Sequence, residues 1–353
     1  MADNTIGHGR PKIYITPSDL GRRISARRIL GHTEGRPVFG DVIGVLTSWD
    51  GGVLTVLNRA GEAVTIMEEA LVAGKAVPPA PIRRTAPAPE DPGAVAMQRI
   101  AARGWPAVEA EPLGEWVLRA SSGFTRRGNS AQTLGDPGMP LGAALDLVQE
   151  WYARRGLAAH VELTTPGSPE GLAELLAERG ATEAETLVRT APLAVLAGST
   201  AEPSQVRLSR RADAAWMSRY RRVGGDPALE RAARQVLHLS GERPPVPPSA
   251  GGPSVWFATL DVPGQEGPAA IGRCVIDGEW AGFGAIEVVP ELRRRGLASE
   301  LMAVLASRAA EEGARGAYLQ VEAENSRAAA LYDKLGFTTS YRYHYARLER
   351  VEA

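Results

Sequence analysis

Six prolines fall between Pro78 and Pro92, in "PPAPIRRTAPAPEDP", and neither a helix nor a sheet ladder runs through such a stretch. Each proline lacks the N–H that regular structure needs and fixes its own φ, so residues 79–91 read as an extended, semi-rigid linker. The 353-residue chain is divided there into a short N-terminal portion and a longer C-terminal one.

Before the linker, "GRRISARRIL" and residues 36–78 alternate in the way of strands. Val42, Val45, Val53, Val56, Val64 and Ile66 are β-branched, and "WDGG" and "RAGE" supply glycine-bearing turns. Residues 18–78 therefore predict a small β-barrel of about five strands, serving to dock or pack.

After the linker the pattern is mixed α and β. Asp91 and Pro92 read as an N-cap and first helical residue, with the helix ending before Gly104. "EWVLRASSGFTRRGNSAQTL" predicts paired strands, "LGAALDLVQEWYARRG" a helix, "LAAHVELTT" a strand, and Ser168 with Pro169 the start of another helix. This unit spans 92–198. A second mixed unit, 204–350, opens with helices in "RRADAAWMSRYRRV" and "PALERAARQVLHL". Three strands, a helix over about 296–312, the strand "AYLQVEA", the helix "SRAAALYDKLG" and a closing strand follow. A weak repeat links the units, since "LLAERGATEAETLVR" overlays "LYDKLGFTTSYRYHY" without gaps.

Composition narrows the function classes. A formal net charge of −1 lacks the basic excess of a general nucleic-acid binder, so any positive site is local. One cysteine and five scattered histidines give neither a disulfide framework nor zinc spacing, and no metal is expected. No signal-peptide core and no membrane-length apolar run are visible, and a cytoplasmic protein is the expectation. Cys274, in "GRCVID", reads as a small packed hydrophobe.

One local site stands out. In "AIEVVPELRRRGLASELMAVL" a strand leads into Arg293, Arg294, Arg295 and Gly296 and then a helix striped by Leu297, Leu301 and Leu305. Positive side chains oppose the dipole at a helix N-terminus, whereas backbone N–H groups converging there favour an anion such as a phosphate. The glycine-lysine-serine/threonine signature and the three-glycine dinucleotide fingerprint are both absent. Taken alone, the run is better read as a solvated face beside a core helix.

The ordered set Pro290, "RRRGLA", a helix, "LQVEAENSRAAALYDKLGF" and a closing strand resembles the GCN5-related N-acetyltransferases, the GNAT superfamily. The resemblance implies an α/β (α+β) fold with a mixed sheet flanked by helices, and acetyl-CoA as cosubstrate. Arg293, Gly296 and Ala298 fill the family's pyrophosphate pattern, with Arg294, Arg295, Leu297 and Ser299 beside them. Ile286 and Val288 match the strand that pairs with pantetheine, Asn325 the asparagine on the CoA arm, and Tyr332 the general acid. Where many members carry a glutamate base this chain has Gln320, which leaves Glu287 as the first candidate base and Glu322 as another.

With its SH3-like barrel the whole arrangement resembles a group of actinobacterial GNAT proteins, some described as histone-type acetyltransferases and some as an N-acetylglutamate synthase. On that resemblance the first mixed unit is a degenerate GNAT half without a cofactor loop. Arg126, Arg127 and Asn129 in "GFTRRGNSA" and the loop "GERPPVPPSAGGP" are candidates to hold the acceptor, a solvated hairpin edge being the plainer reading of the former. The leading expectation is acetyl transfer to a small amino acid such as glutamate. A protein amine, a non-catalytic CoA-binding scaffold with a protein partner on the barrel, and nucleic-acid association are the alternatives.

Overall fold

The computed structural model describes residues 12–80, 87–196, 204–220, 222–223, 225–240 and 252–349. Part of the proline linker and nearly all of "GERPPVPPSAGGP" lie outside them.

The alternating N-terminal segment forms β1 (Arg23–Thr33), β2 (Arg36–Asp50), β3 (Val53–Asn58), β4 (Ala63–Met67) and β5 (Leu71–Ala76). They pair antiparallel in the order β4-β3-β2-β1-β5, which leaves β4 and β5 as edges, so the expected barrel is an open sheet. The three-residue turn Glu68–Ala70 joins those two edges, which forces the sheet to curl without a ladder to close it. Ile24, Val42, Leu46, Leu54, Ile66 and Leu71, drawn from all five strands, share one core.

This sheet is fastened to the rest of the chain. Val45 lies in the larger unit's core, and Leu208 N–H donates to the Gly21 carbonyl at 2.5 Å. Arg308, only 2% exposed, reaches the Asn58 carbonyl at 3.2 Å while pairing with Glu311 at 3.0 Å.

The C-terminal portion builds α1 (Gly93–Arg103), β6 (Glu109–Leu113), β7 (Trp116–Ala120), β8 (Ala131–Gln132), α2 (Leu141–Ala153), β9 (His160–Thr165), α3 (Leu172–Arg179) and β10 (Gly180–Pro192). There follow β11 (Val206–Ser209), α4 (Ala214–Arg219), α5 (Pro227–Leu237), β12 (Ser254–Leu260), β13 (Ala270–Asp277) and β14 (Trp280–Val288). The last elements are α6 (Leu297–Glu311), β15 (Gly316–Glu322), α7 (Ser326–Lys334) and β16 (Thr338–Leu348).

Both mixed segments share one eleven-stranded sheet, β11-β12-β13-β14-β15-β10-β16-β9-β8-β7-β6. The repeat seen in sequence is the pair α3–β10 and α7–β16, and its two strands change places. β10 pairs with β15 of the later segment, while β16 pairs with β9 of the earlier one. Each segment keeps one parallel junction, β8 with β9 and β14 with β15.

Helix starts differ from expectation where side chains found better partners. The helix expected from Ser168 begins at Leu172, because the Ser168 hydroxyl accepts from Thr164 N–H at 3.0 Å and leaves Gly171, at φ +79, as the cap. Asp91 still accepts a backbone bond, from Gly93 at 2.9 Å, with Pro92 as N-cap. The helix expected over 210–223 shortens to α4, capped by Asp213 on Trp216 N–H at 2.8 Å.

Candidate active site

β14 and β15 run parallel from Trp280↔Gly316 to Phe283↔Leu319 and then part, although β14 continues to Val288 and β15 to Glu322. The cause is a bulge. Ile271 faces Glu287 and Arg273 faces Gly284, so Ala285, at φ +51, and Ile286 both stand opposite Gly272. A Cβ at 272 would lie 2.2 Å from Leu301 Cδ2, so glycine there lets the Leu301 side chain pack directly on the bulge.

The wedge between the parted strands opens a cleft of about 260 Å³, room for reacting ends rather than for a whole dinucleotide-sized molecule. Ile286, Glu287, Gln320, Asn325 and Tyr332 of the later segment line it, together with Arg126 and Arg127 of the earlier one. Val288 and Arg293–Ser299 lie outside that lining, just past the carboxyl end of β14, where sheets of this kind bind ligands.

Gly296, at φ +84, is the N-cap of α6, and no side chain caps the helix. The helical ladder opens with Glu300 N–H donating to the Gly296 carbonyl at 3.0 Å, so the N–H groups of Leu297, Ala298 and Ser299 point out of the first turn. Arg293, Arg294 and Arg295 are exposed, and among the described residues none of them pairs with a carboxylate. Arg293 Nε donates to the Val288 carbonyl at 3.3 Å, which folds the loop back on its strand.

Asn325 caps α7 by accepting from Ala328 N–H at 3.1 Å. One helical face later, the Tyr332 ring meets Phe337 edge-on at 5.9 Å. Burial raises the Tyr332 hydroxyl above its ordinary value, with the Arg189 charge opposing, so the group is protonated at neutral pH.

Residues 95–346 match the family model described as "Probable histone acetyltransferase Rv0428c C-terminal". The chain is 30% identical over 259 residues to "Uncharacterized N-acetyltransferase YobR" of Bacillus subtilis, covering 72% of this chain and 98% of that relative. The chain belongs to the GNAT superfamily of N-acetyltransferases. "Probable histone acetyltransferase Rv0428c" of Mycobacterium tuberculosis aligns at 27% identity over 94% of this chain and 96% of its own length. A solved GCN5-related N-acetyltransferase from Kribbella flavida shares the fold at a TM-score of 0.51 and 18% identity, covering 74% of this chain and 98% of that one.

Among the described residues two carboxylates line the GNAT cleft, Glu287 and Glu322. Glu287 is half-buried beside Tyr220, whose hydroxyl is pushed up to about 12 by burial, against Arg222 and with Glu287 reinforcing. Glu322 is bound by Arg126 Nη2 at 3.2 Å, and Arg126 Nη1 reaches Glu183 at the same distance. Gln320 presents a buried Nε2 with no hydrogen-bond partner among the described residues, a donor aimed at whatever enters the wedge.

Asn129 departs from its expected role. It is 5% exposed and absent from the cleft lining. Its Oδ1 accepts from Ser121 and Gly123 N–H at 2.8 and 3.0 Å, and its Nδ2 donates to the Phe124 and Thr125 carbonyls at 3.0 and 2.8 Å. With its amide fully engaged, it shapes the loop that carries Arg126 and Arg127 rather than meeting a ligand.

Sequence reading missed Trp105 and Arg273. Arg273, 3% exposed, donates to the Leu237 carbonyl at 2.7 Å and the Gly104 carbonyl at 3.0 Å, so its charge answers the carbonyl ends of α5 and α1. Its guanidinium lies 5.3 Å from the Trp105 ring centre. No local pattern announces a contact between residues so far apart in the chain. Cys274 is fully buried with its thiol pushed up by burial, the environment of an inert packed side chain. Among the described residues no group of three or more His, Cys, Asp or Glu side chains is placed to hold a metal, and no helix is long and apolar enough to cross a membrane.

Proposed function

We propose that this GNAT protein transfers the acetyl group of acetyl-CoA directly to a primary amine held in the wedge between β14 and β15. The parting of those strands at Phe283, beside a tyrosine kept in its proton-donating form, is the observation that supports this most.

The residues suit such a cosubstrate. Acetyl-CoA supplies an acyl thioester, and a diphosphate would bring negative charge to Arg293, Arg294, Arg295 and the open N–H groups at Gly296, Leu297, Ala298 and Ser299. On the side of β15, the backbone of β14 past Phe283 pairs with no strand among the described residues, and at Ile286 and Val288 it would offer hydrogen bonds to an extended arm once Arg293 releases the Val288 carbonyl. Asn325 lines the same cleft.

The acceptor amine must lose a proton and the departing sulfur must gain one. A Glu287 carboxylate oxygen takes the first and the Tyr332 hydroxyl gives the second. Gln320 cannot accept a proton, but its Nε2 can orient a carbonyl by donating to it. A small amino acid is the first acceptor to test, and a protein amine, the substrate named for the Mycobacterium tuberculosis relative, is the second.

Acetyl-CoA is expected to raise the melting temperature of the wild type, and Gly296→Asp to abolish the shift. Aspartate adds charge against the diphosphate, whereas Gly296→Asn tolerates the same left-handed backbone without that charge and should keep most of the shift. A Gly296→Asp protein stabilised as much as wild type would remove the loop from the site.

A further inference from the structure

Among the described residues four arginines and two glutamates line the cleft: Arg126, Arg127, Arg222 and Arg273 against Glu287 and Glu322. Arg126 is occupied by Glu322 and Glu183, and Arg273 is occupied by helix-end carbonyls. Arg127 has no such partner. Among the described residues it forms no ion pair with a carboxylate, and its Nε is buried with no hydrogen-bond partner. Its guanidinium is nonetheless held in place, 5.2 Å from the Trp105 ring centre and with the Tyr343 hydroxyl against it. Trp105 is fixed in turn by Nε1 donating to Thr125 Oγ1 at 3.0 Å and by stacking on Phe124 at 5.8 Å.

A positioned guanidinium with spare donors, facing a cleft whose lining carries an excess of positive charge, selects an anion and repels a cation. We infer that Arg127 binds a carboxylate of the acceptor, so that the acceptor is a small amine bearing its own negative charge rather than a lysine in a basic peptide. The inference rests on the acetyl-transfer reading and names its substrate class. Arg127 comes from the earlier segment and the reacting wedge from the later one, so the exchange of β10 and β16 is what brings the specificity side chain to the chemistry.

The test compares free amino acids with their carboxamides, and with a lysine-rich peptide, by CoA release from the full chain. Wild type should prefer acid over amide in kcat/KM, and Arg127→Gln should reduce that preference by about 10- to 100-fold, the range for a hydrogen bond to a charged group. The loss should sit in KM for the acid, and Arg127→Lys should restore part of it. Dividing wild-type by variant preference cancels the intrinsic difference in amine reactivity between acid and amide. An unchanged preference in Arg127→Gln, or a wild type that favours the lysine-rich peptide, overturns the inference. If nothing is turned over, calorimetry on CoA-loaded protein separates the two readings. Acid binding lost in Arg127→Gln keeps the anion site and rejects transfer to these amines, and no binding of acid rejects the anion site as well.

Discussion

Tyr332→Phe is expected to lower kcat by about 100-fold or more, the usual worth of a positioned general acid, with acetyl-CoA affinity and melting temperature close to wild type. The hydroxyl is the only group removed, and the ring keeps its packing against Phe337. The helix that carries it is clamped independently. Asn325 caps its start, and Arg189 binds the Ala329 carbonyl at 3.2 Å and the Asp333 carboxylate at 2.5 Å. A purely structural tyrosine would show its loss in stability and in binding, not in kcat.

The pH profile carries the same content. Burial raises the Tyr332 value and Arg189 opposes it only in part, so the proton stays on the hydroxyl above the ordinary value of 10.0. Any alkaline fall in kcat from its ionisation should therefore lie above that value in the wild type and be missing in the variant. Wild-type kcat in Tyr332→Phe would take the residue out of the mechanism.

How much of this site can be read from the chain itself depends on distance along it. The run Glu291–Ser299, the cap Asn325 and Tyr332 lie within one strand-helix-strand-helix order, where glycine, capping and apolar spacing carry information locally. The open N-terminal sheet shows the limit of local reading, since alternation and turns announce five strands but say nothing of whether the outer two meet. Asn129 shows another. Its place in "GFTRRGNSA" marks a loop, yet whether an asparagine faces ligand or its own backbone is decided by four hydrogen bonds that only the folded loop defines. The exchange of β10 and β16 has a trace in the weak repeat, but a repeat of helix and strand is equally compatible with two separate sheets.

The earlier segment has the same parallel junction, with α2 between β8 and β9 as α6 lies between β14 and β15, and a buried polar cluster gathers on it. Glu162, fully buried, accepts from Arg119 Nη2 at 2.8 Å, Gln98 Nε2 at 2.8 Å and Gln132 Nε2 at 3.1 Å, and Tyr341 of β16 donates to Gln98 Oε1 at 2.6 Å. α2 starts from Pro140 rather than from a left-handed glycine, and no arginine run precedes it. One half thus carries the wedge and the other a polar plug that holds the exchanged strand.

Glu162→Leu is accordingly expected to cost about 3–5 kcal/mol, because it leaves the Arg119 charge buried without its partner. The melting temperature should fall by roughly 10 °C. The double variant Glu162→Leu with Arg119→Met removes both charges and should recover most of that loss, since an apolar pair of similar volume needs no counter-ion. Acid titration gives a second readout. Burial would lift the Glu162 carboxyl, but Arg119, Gln98 and Gln132 outweigh it and hold the value below the ordinary 4.5. Its contribution is therefore complete above that value and disappears as pH falls through the lower, folded-state value. The wild type should lose stability over that acid range, and the double variant should lose less. A double variant as unstable as Glu162→Leu would mean that the plug matters through its shape and hydrogen bonds to β16, and not through the charge pair.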